Sequence, residues 1–316
     1  MTFLKPSDRI YVAGHTGLVG SAIWRALQAQ GYSNLVGQTS SELDLRDHNA
    51  AADYISSQKP DVIVLAAAKV GGIAANNDFP VDFISENLRI QTSVLDAALV
   101  NRTPRVLILG SSCIYPKLAT QPISEDALLT GLLEPTNQPY ALAKIAGIVQ
   151  VQSTRKQYGL PWISAMPTNL YGPGDNFNPT GSHVLPGLLR RFHEATQSGA
   201  DEVVAWGTGS PRREYLHVDD LAAACIHLLK NYDDDIALNV GTGEDVSIKE
   251  LAEMIAQTTG FTGRITWDTT KPDGTPQKLL DVSRINVTGW KASIDLATGL
   301  KSTYQWYLDN VATLRT

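Results

Sequence analysis

The chain has 316 residues, 43% of them hydrophobic and 18% charged, an ordinary globular composition that excludes a disulfide-stapled miniprotein, a collagen-like repeat or a disordered chain. Twenty-six Lys and Arg against 32 Asp and Glu give a formal charge of −6, the wrong sign for sequence-independent attraction to nucleic acid or an anionic bilayer. No stretch approaches the roughly 18 uninterrupted apolar residues of a membrane span, and Met1–Arg9 lacks the apolar core of a signal peptide, so a cytoplasmic protein with neither nucleic-acid nor membrane partners is expected.

Arg9–Ala13 is a short β-branched apolar run that leads directly into Gly14, Gly17 and Gly20 and then into the helical pattern of Ala22, Ile23, Ala26 and Leu27. That order reads strand, tight turn, helix. Similar runs at 34–37, 61–65, 105–109 and 162–165 alternate with helix-length segments, Phe79–Asn101 and Tyr140–Tyr158 among them. The alternation predicts an α/β fold with a Rossmann-type, doubly wound parallel sheet. After about residue 170 the chain turns richer in Gly, Pro and Asn, at 172–174, 176–181, 207–211 and 271–276, and a smaller α+β lobe is expected there. The apolar helix Val218–Leu229 and the strand Ala237–Val240 look like returns to the first sheet. The expected division is therefore 1–170 plus about 215–243 for a dinucleotide-binding domain, and about 171–214 plus 244–316 for a discontinuous substrate-binding lobe.

Gly14-His15-Thr16-Gly17-Leu18-Val19-Gly20 sits where a dinucleotide's pyrophosphate would meet a helix N-terminus. Small residues let the backbone approach the phosphates, and the unpaired N–H groups and the helix dipole favour the negative charge. The end of the second strand is Gly37-Gln38-Thr39-Ser40-Ser41, with no acid before Glu42 to repel a 2′-phosphate. NADP is permitted, and the absence of Arg from this stretch leaves NADH possible too.

Tyr140 and Lys144 stand at i and i+4, on one face of a helix, with Ser111 and Ser112 just past an earlier strand. A free phenol, with a pKa of ~10, is too weak an acid for proton transfer at neutral pH. A cation at ~4 Å in an effective dielectric near 20 is worth on the order of 4 kcal/mol, or about three pKa units, so Lys144 is expected to draw Tyr140 towards neutrality. Of the two cysteines, Cys113 lies two residues after Ser111, while Cys225 falls in an apolar helix and is read as core. Their separation offers no disulfide framework, and no metal-ligand spacing is present.

A glycine turn near the N-terminus, Ser after a strand and Tyr-x-x-x-Lys on a following helix together resemble the extended short-chain dehydrogenases/reductases. The segments Ala66–Ile73, Gly110–Lys117, Glu134–Tyr140, Pro167–Gly172 and Lys271–Pro276 narrow the likeness to the GDP-L-fucose synthases. That resemblance implies an NADPH-dependent enzyme, both oxidoreductase and isomerase, that epimerises GDP-4-keto-6-deoxy-D-mannose at C3 and C5 and reduces C4 to give GDP-L-fucose. It implies that Ser111 bonds the C4 ketone, Tyr140 protonates the C4 alkoxide, Lys144 binds the nicotinamide ribose and acidifies the phenol, Cys113 is the epimerisation base and His183 its acid. It places Arg191, Trp206, Arg213 and Asp273 around the GDP-sugar. The cofactor would meet residues 14–20, Leu109, Gly110, Ser111, Ser112, Tyr140, Lys144, Pro167, Thr168, Asn169, Leu170 and His183. Arg190 and Arg212 are left as packing or surface residues, and His15 as a structural part of the turn. Family members carry Arg where this chain has Thr16 and Ser40, which loosens the preference for NADPH over NADH. The likeness also implies a homodimer through Phe79–Asn101 and Tyr140–Tyr158. Two rivals stand beside this reading. One is a sugar-nucleotide 4-epimerase or 4,6-dehydratase with bound NAD, against which Cys113 and His183 argue. The other is a redox-sensing binding module that has lost catalysis, against which Tyr140 and Lys144 argue.

Overall fold

The runs at 10–13, 62–65 and 105–109 are so apolar that neither face can be left to water, and each forms a strand buried at every position. The computed structural model describes residues 3–179, 181–271 and 273–314. Met1, Thr2, Thr180, Pro272, Arg315 and Thr316 lie outside it, so the 176–181 and 271–276 segments are each described without one residue. In chain order the elements are β1 (Ile10–Ala13), α1 (Leu18–Ala29), β2 (Leu35–Val36), α2 (His48–Gln58), β3 (Val62–Leu65), α3 (Ile73–Asp78), α4 (Pro80–Val100), β4 (Arg105–Leu109), α5 (Gln138–Tyr158), β5 (Ile163–Pro167) and β6 (Asn169–Tyr171). They continue with α6 (Val184–Ser198), β7 (Glu202–Trp206), β8 (Arg212–His217), α7 (Val218–Asn231), β9 (Leu238–Val240), β10 (Asp245–Ser247), α8 (Ile248–Thr259), β11 (Arg264–Asp268), β12 (Gln277–Lys278), α9 (Ser283–Val287) and α10 (Leu296–Asn310).

Six strands form a parallel sheet in the order β2-β1-β3-β4-β5-β9, with Ile10 in register with both Leu35 and Val62. The chain leaves β1 for β2 on one side and returns to β3 on the other, so the switch point of this doubly wound sheet lies between β1 and β3. The core follows the period-2 pleat: Ile10, Val12, Val64 and Leu107 pack with Ala22, Ile23, Leu221 and Cys225 of α1 and α7, while Tyr11, Ile63, Val106 and Ile108 pack with Ile55, Val94 and Ile148 of α2, α4 and α5. The six predicted strands all form, and α7 and β9 return to this sheet as the sequence implied.

A third core cluster joins Leu185, Leu189 and Phe192 of α6 to Leu251 and Ile255 of α8 and to Leu300 and Tyr307 of α10. This half is more regular than its turn-rich sequence indicated. A sheet of β10, β8, β12 and β6 and a pair of β7 with β11 fill it, the latter parallel with Glu202 opposite Arg264. Local signals start its helices: Ser247 and Glu250 form a capping box on α8, and Asp295 accepts from the Thr298 N–H on α10. Among the described residues no helix is long and apolar enough to cross a membrane.

Candidate active site

The glycine turn closes β1 at the switch point, and its three glycines have different reasons. Gly14 has φ +84°, and a side chain there would meet the Ala67 backbone at 2.8 Å; at Gly20 a Cβ would fall 2.1 Å from the Gly14 carbonyl oxygen. Both are fixed by the protein itself. Gly17 caps α1 with ordinary φ −81°, and a Cβ there would meet nothing nearer than the Gly14 oxygen at 3.5 Å. No side chain caps the helix either, so its first N–H groups face a space that a side chain at 17 would narrow, which fits a pyrophosphate. His15 lies beside this cradle, 5.2 Å from the Trp24 ring. It needs Gly37 at the end of β2, where a Cβ would sit 2.6 Å from its Nδ1, a requirement the sequence reading missed. Thr16 and Ser40 are exposed, and Glu42 folds back to accept from the Thr39 N–H (2.9 Å) and hydroxyl (2.8 Å).

Past β4 the chain makes a single tight 3-10 turn, Ser112–Ile114, capped by Ser111, whose Oγ accepts from the Cys113 N–H at 3.3 Å. That turn brings the Cys113 Sγ to 3.0 Å from the Ser111 Oγ. On α5, Lys144 shares the buried face with Ala141, Ile145 and Ile148, and its ammonium donates to the Leu109 carbonyl at 2.9 Å. It lies 5.8 Å from the centroid of the Tyr140 ring. Ser111, Cys113, Tyr140 and Lys144 are thus brought together as the sequence indicated.

Their electrostatics differ from the expectation. Burial pushes the Tyr140 phenol well above its ordinary value, a negative charge on Cys113 would push it further, and only the Ser111 hydroxyl pulls the other way. Burial also pushes the Lys144 ammonium down to about 8, opposed by the negative charge Cys113 would carry as thiolate. The reason is geometric: the ammonium is aimed at a carbonyl and the ring, so desolvation outweighs its pull on the hydroxyl. The phenol is therefore held protonated, the form that gives up a proton.

His183 is the N-cap residue of α6 and is exposed as a residue, yet desolvation of its ring and then the Lys278 ammonium lower its pKa. Accessibility combined with desolvation describes a residue lining an open cleft. Lys278 belongs to β12 and stands in register with Arg213 of β8, a neighbour that sequence separation alone could not reveal.

The four residues assigned to the GDP-sugar form two contacts. The Arg191 guanidinium lies 5.8 Å from the Trp206 ring, which is 58% exposed, and donates to the Val204 carbonyl at 2.7 Å. Arg213 donates to the Arg212 and Asp273 carbonyls at 2.8 and 3.5 Å, and the Asp273 carboxylate accepts from the Thr208 N–H (2.7 Å) and hydroxyl (2.8 Å). Lys271, which the sequence reading passed over, places a second cation 5.5 Å from the Trp206 ring. Arg190 pairs with Glu194 and Arg212 with Asp245, packing roles as read. Thr168 and Asn169 spend their side chains on the Glu214 carbonyl, at 3.3 and 2.7 Å, so both are committed to the fold next to Pro167 and Leu170. Leu109 is buried, Gly110 extends β4 by donating to the Ala165 carbonyl at 2.8 Å, and Ser112 is buried.

Residues 10–241 match the NAD dependent epimerase/dehydratase family. The chain is 58% identical over 305 residues to GDP-L-fucose synthase 1 of Arabidopsis thaliana, covering 96% of this chain and 94% of that protein. It is 54% identical over 312 residues to the GDP-L-fucose synthase of Escherichia coli K12, covering 96% and 97%. Among solved structures, a GDP-L-fucose synthetase from Naegleria fowleri bound to NADP superposes with a TM-score of 0.90 at 29% identity, over 99% of this chain and 98% of that one.

Proposed function

The chain belongs to the NAD dependent epimerase/dehydratase family, and we propose that it converts GDP-4-keto-6-deoxy-D-mannose to GDP-L-fucose by epimerisation at C3 and C5 and reduction at C4. The observation that carries this reading is the cluster of side chains at the end of β4, with the Ser111 Oγ 3.0 Å from the Cys113 Sγ, and the Lys144 ammonium on the Leu109 carbonyl at 2.9 Å and 5.8 Å from the centroid of the Tyr140 ring.

NADPH supplies the reducing equivalent for C4. The uncapped N-terminus of α1 and Gly17 would hold its pyrophosphate, and Lys144 would take its nicotinamide ribose. In epimerisation, Cys113 as thiolate removes the proton that the adjacent ketone acidifies, and His183 returns one on the opposite face. His183 must gain a proton to do so, and the negative charge of the enolate and diphosphate favours that gain against the Lys278 ammonium. Ser111 donates to the C4 oxygen throughout. As C4 is reduced, the protonated Tyr140 delivers its proton to the developing alkoxide, and Lys144 stabilises the phenolate left behind. Arg191 and Arg213 suit the diphosphate, since guanidinium forks pair with its oxygens.

A homodimer through α4 and α5 belongs to the same reading. Both helices leave apolar side chains exposed, Val81 and Val100 on α4 and Leu142 and Val149 on α5. Light scattering behind size exclusion tests it, a monomer mass being the contrary result. The cytoplasm is the compartment this reading assigns. The reaction is tested by incubating the purified protein with GDP-4-keto-6-deoxy-D-mannose and NADPH: GDP-L-fucose is expected, and an unreduced or unepimerised sugar overturns the reading.

A further inference from the structure

The segment that runs from β3 into the first residue of α3 carries two apolar side chains left largely open to solvent. Val70 is 61% and Ile73 48% exposed. Exposure here is not slackness, because the backbone is pinned on both sides. Asn87 accepts from the Lys69 N–H and donates to the Lys69 carbonyl, both at 3.0 Å, and Lys69 forms ion pairs with Asp82 (3.2 Å) and Glu86 (2.7 Å). Asn76 donates to the Gly71 and Gly72 carbonyls at 2.9 and 3.0 Å.

The segment's neighbours fix where it runs. A Cβ on Gly71 would lie 3.1 Å from Phe83, whose ring meets Tyr140 edge-on at 6.3 Å. One on Gly72 would lie 3.0 Å from the Ser182 carbonyl oxygen, next to His183. One on Gly274 would lie 3.5 Å from the Ile73 Cδ1 and 3.6 Å from the Arg213 guanidinium. The strip thus runs from the Phe83 ring that meets the proton donor, past the residue before the epimerisation acid, to a glycine beside the arginine suited to diphosphate. A hexose held with its diphosphate-bearing C1 towards Arg213 and its C4 towards Tyr140 would lie along this strip.

We propose that Val70 and Ile73 form the apolar wall against which the C6 methyl packs, and so select a 6-deoxy sugar over one carrying a C6 hydroxyl. This rests on the functional reading above and names the specificity of the same site. An uncovered hydrocarbon surface gains from covering a methyl and strands a hydroxyl without a partner. One small group of this kind is worth roughly 10- to 200-fold in discrimination.

The test uses two probes that differ only at C6, GDP-L-fucose and GDP-L-galactose, as competitive inhibitors of NADPH oxidation by the full chain. The wild type is expected to bind GDP-L-fucose about tenfold or more tightly than GDP-L-galactose. Val70→Thr, which keeps shape at an exposed position, and Ile73→Ser are expected to bring the ratio to within about threefold, with the affinity for GDP itself unchanged. A wild-type ratio retained in both variants overturns the proposal. So does an equal loss of GDP affinity, because the wall would then serve the nucleotide end. If the wild type makes no GDP-L-fucose, the functional reading fails; if it does and the ratio stays put, only the wall fails.

Discussion

The Lys144 ammonium stands 5.8 Å from the centroid of the Tyr140 ring while donating to the Leu109 carbonyl at 2.9 Å. It is thus anchored to the end of β4, the strand that leads into the turn carrying Ser111 and Cys113. Helix α5 and strand β4 are locked together at the one place where both contribute reacting groups. Among the described residues no carboxylate pairs with this cation, and burial dominates its titration.

A pH profile follows from that burial. The Lys144 pKa is pushed down to about 8, so the ammonium is complete below that value and lost as pH rises through it. The kcat/KM for NADPH-dependent reduction is expected to fall with an apparent midpoint near 8 in the free enzyme, which rate measurements from pH 6 to 10 resolve. Lys144→Arg should move the midpoint beyond the measured range. A flat profile in the wild type would count against an ammonium role.

Cys113→Ala is expected to lower exchange of the C3 and C5 hydrogens with deuterated solvent by about 10²-fold or more, the usual worth of a positioned base. Nuclear magnetic resonance of the recovered sugar reads both carbons separately. Exchange at the wild-type rate would remove the thiol from epimerisation.

Thr16 is exposed on the glycine turn and carries no charge for a 2′-phosphate. Thr16→Arg should raise the preference for NADPH over NADH by about tenfold, the scale of one hydrogen bond to a charged group. Steady-state kinetics with the two cofactors provide the ratio. An unchanged ratio would place the phosphate elsewhere.

Asp175, in the turn after β6, is 7% exposed, accepts the Asn176 N–H at 2.7 Å with Oδ1, and leaves Oδ2 with no protein partner among the described residues. Burial raises its pKa to about 7, above the 3.8 of the free side chain. Between these values the folded state keeps a proton that the unfolded state releases, so its contribution to stability declines as pH climbs from about 4 to 7. Asp175→Asn should therefore gain on the wild type in Tm between pH 5 and pH 8. A Tm difference constant across that range contradicts the assignment.

The first sheet was legible because its strands announce themselves: β1 and β3 are apolar at every position, β4 is apolar after Arg105, and glycine follows β1 and β4 directly. The second half was not, since β10 (Asp245–Ser247) and β12 (Gln277–Lys278) are short and polar and exist through pairing with β8. The same contrast governs the site. Tyr140 and Lys144 share a helix face, so spacing alone pairs them, and Ser111 and Cys113 share one turn. The Lys278 ammonium beside His183 depends on the register of β12 against β8, and the weak acidity of Tyr140 depends on how much of the protein surrounds it. Neither quantity is local in sequence.

Tyr140→Phe, assayed with GDP-4-keto-6-deoxy-D-mannose in deuterated buffer, separates the two halves of the reaction in one vessel. Reduction, read as NADPH oxidation, should fall by about 10²- to 10⁴-fold while deuterium continues to enter at C3 and C5. Oxidation of NADPH at the wild-type rate by the phenylalanine variant would contradict the assignment of the protonated phenol as the donor to C4.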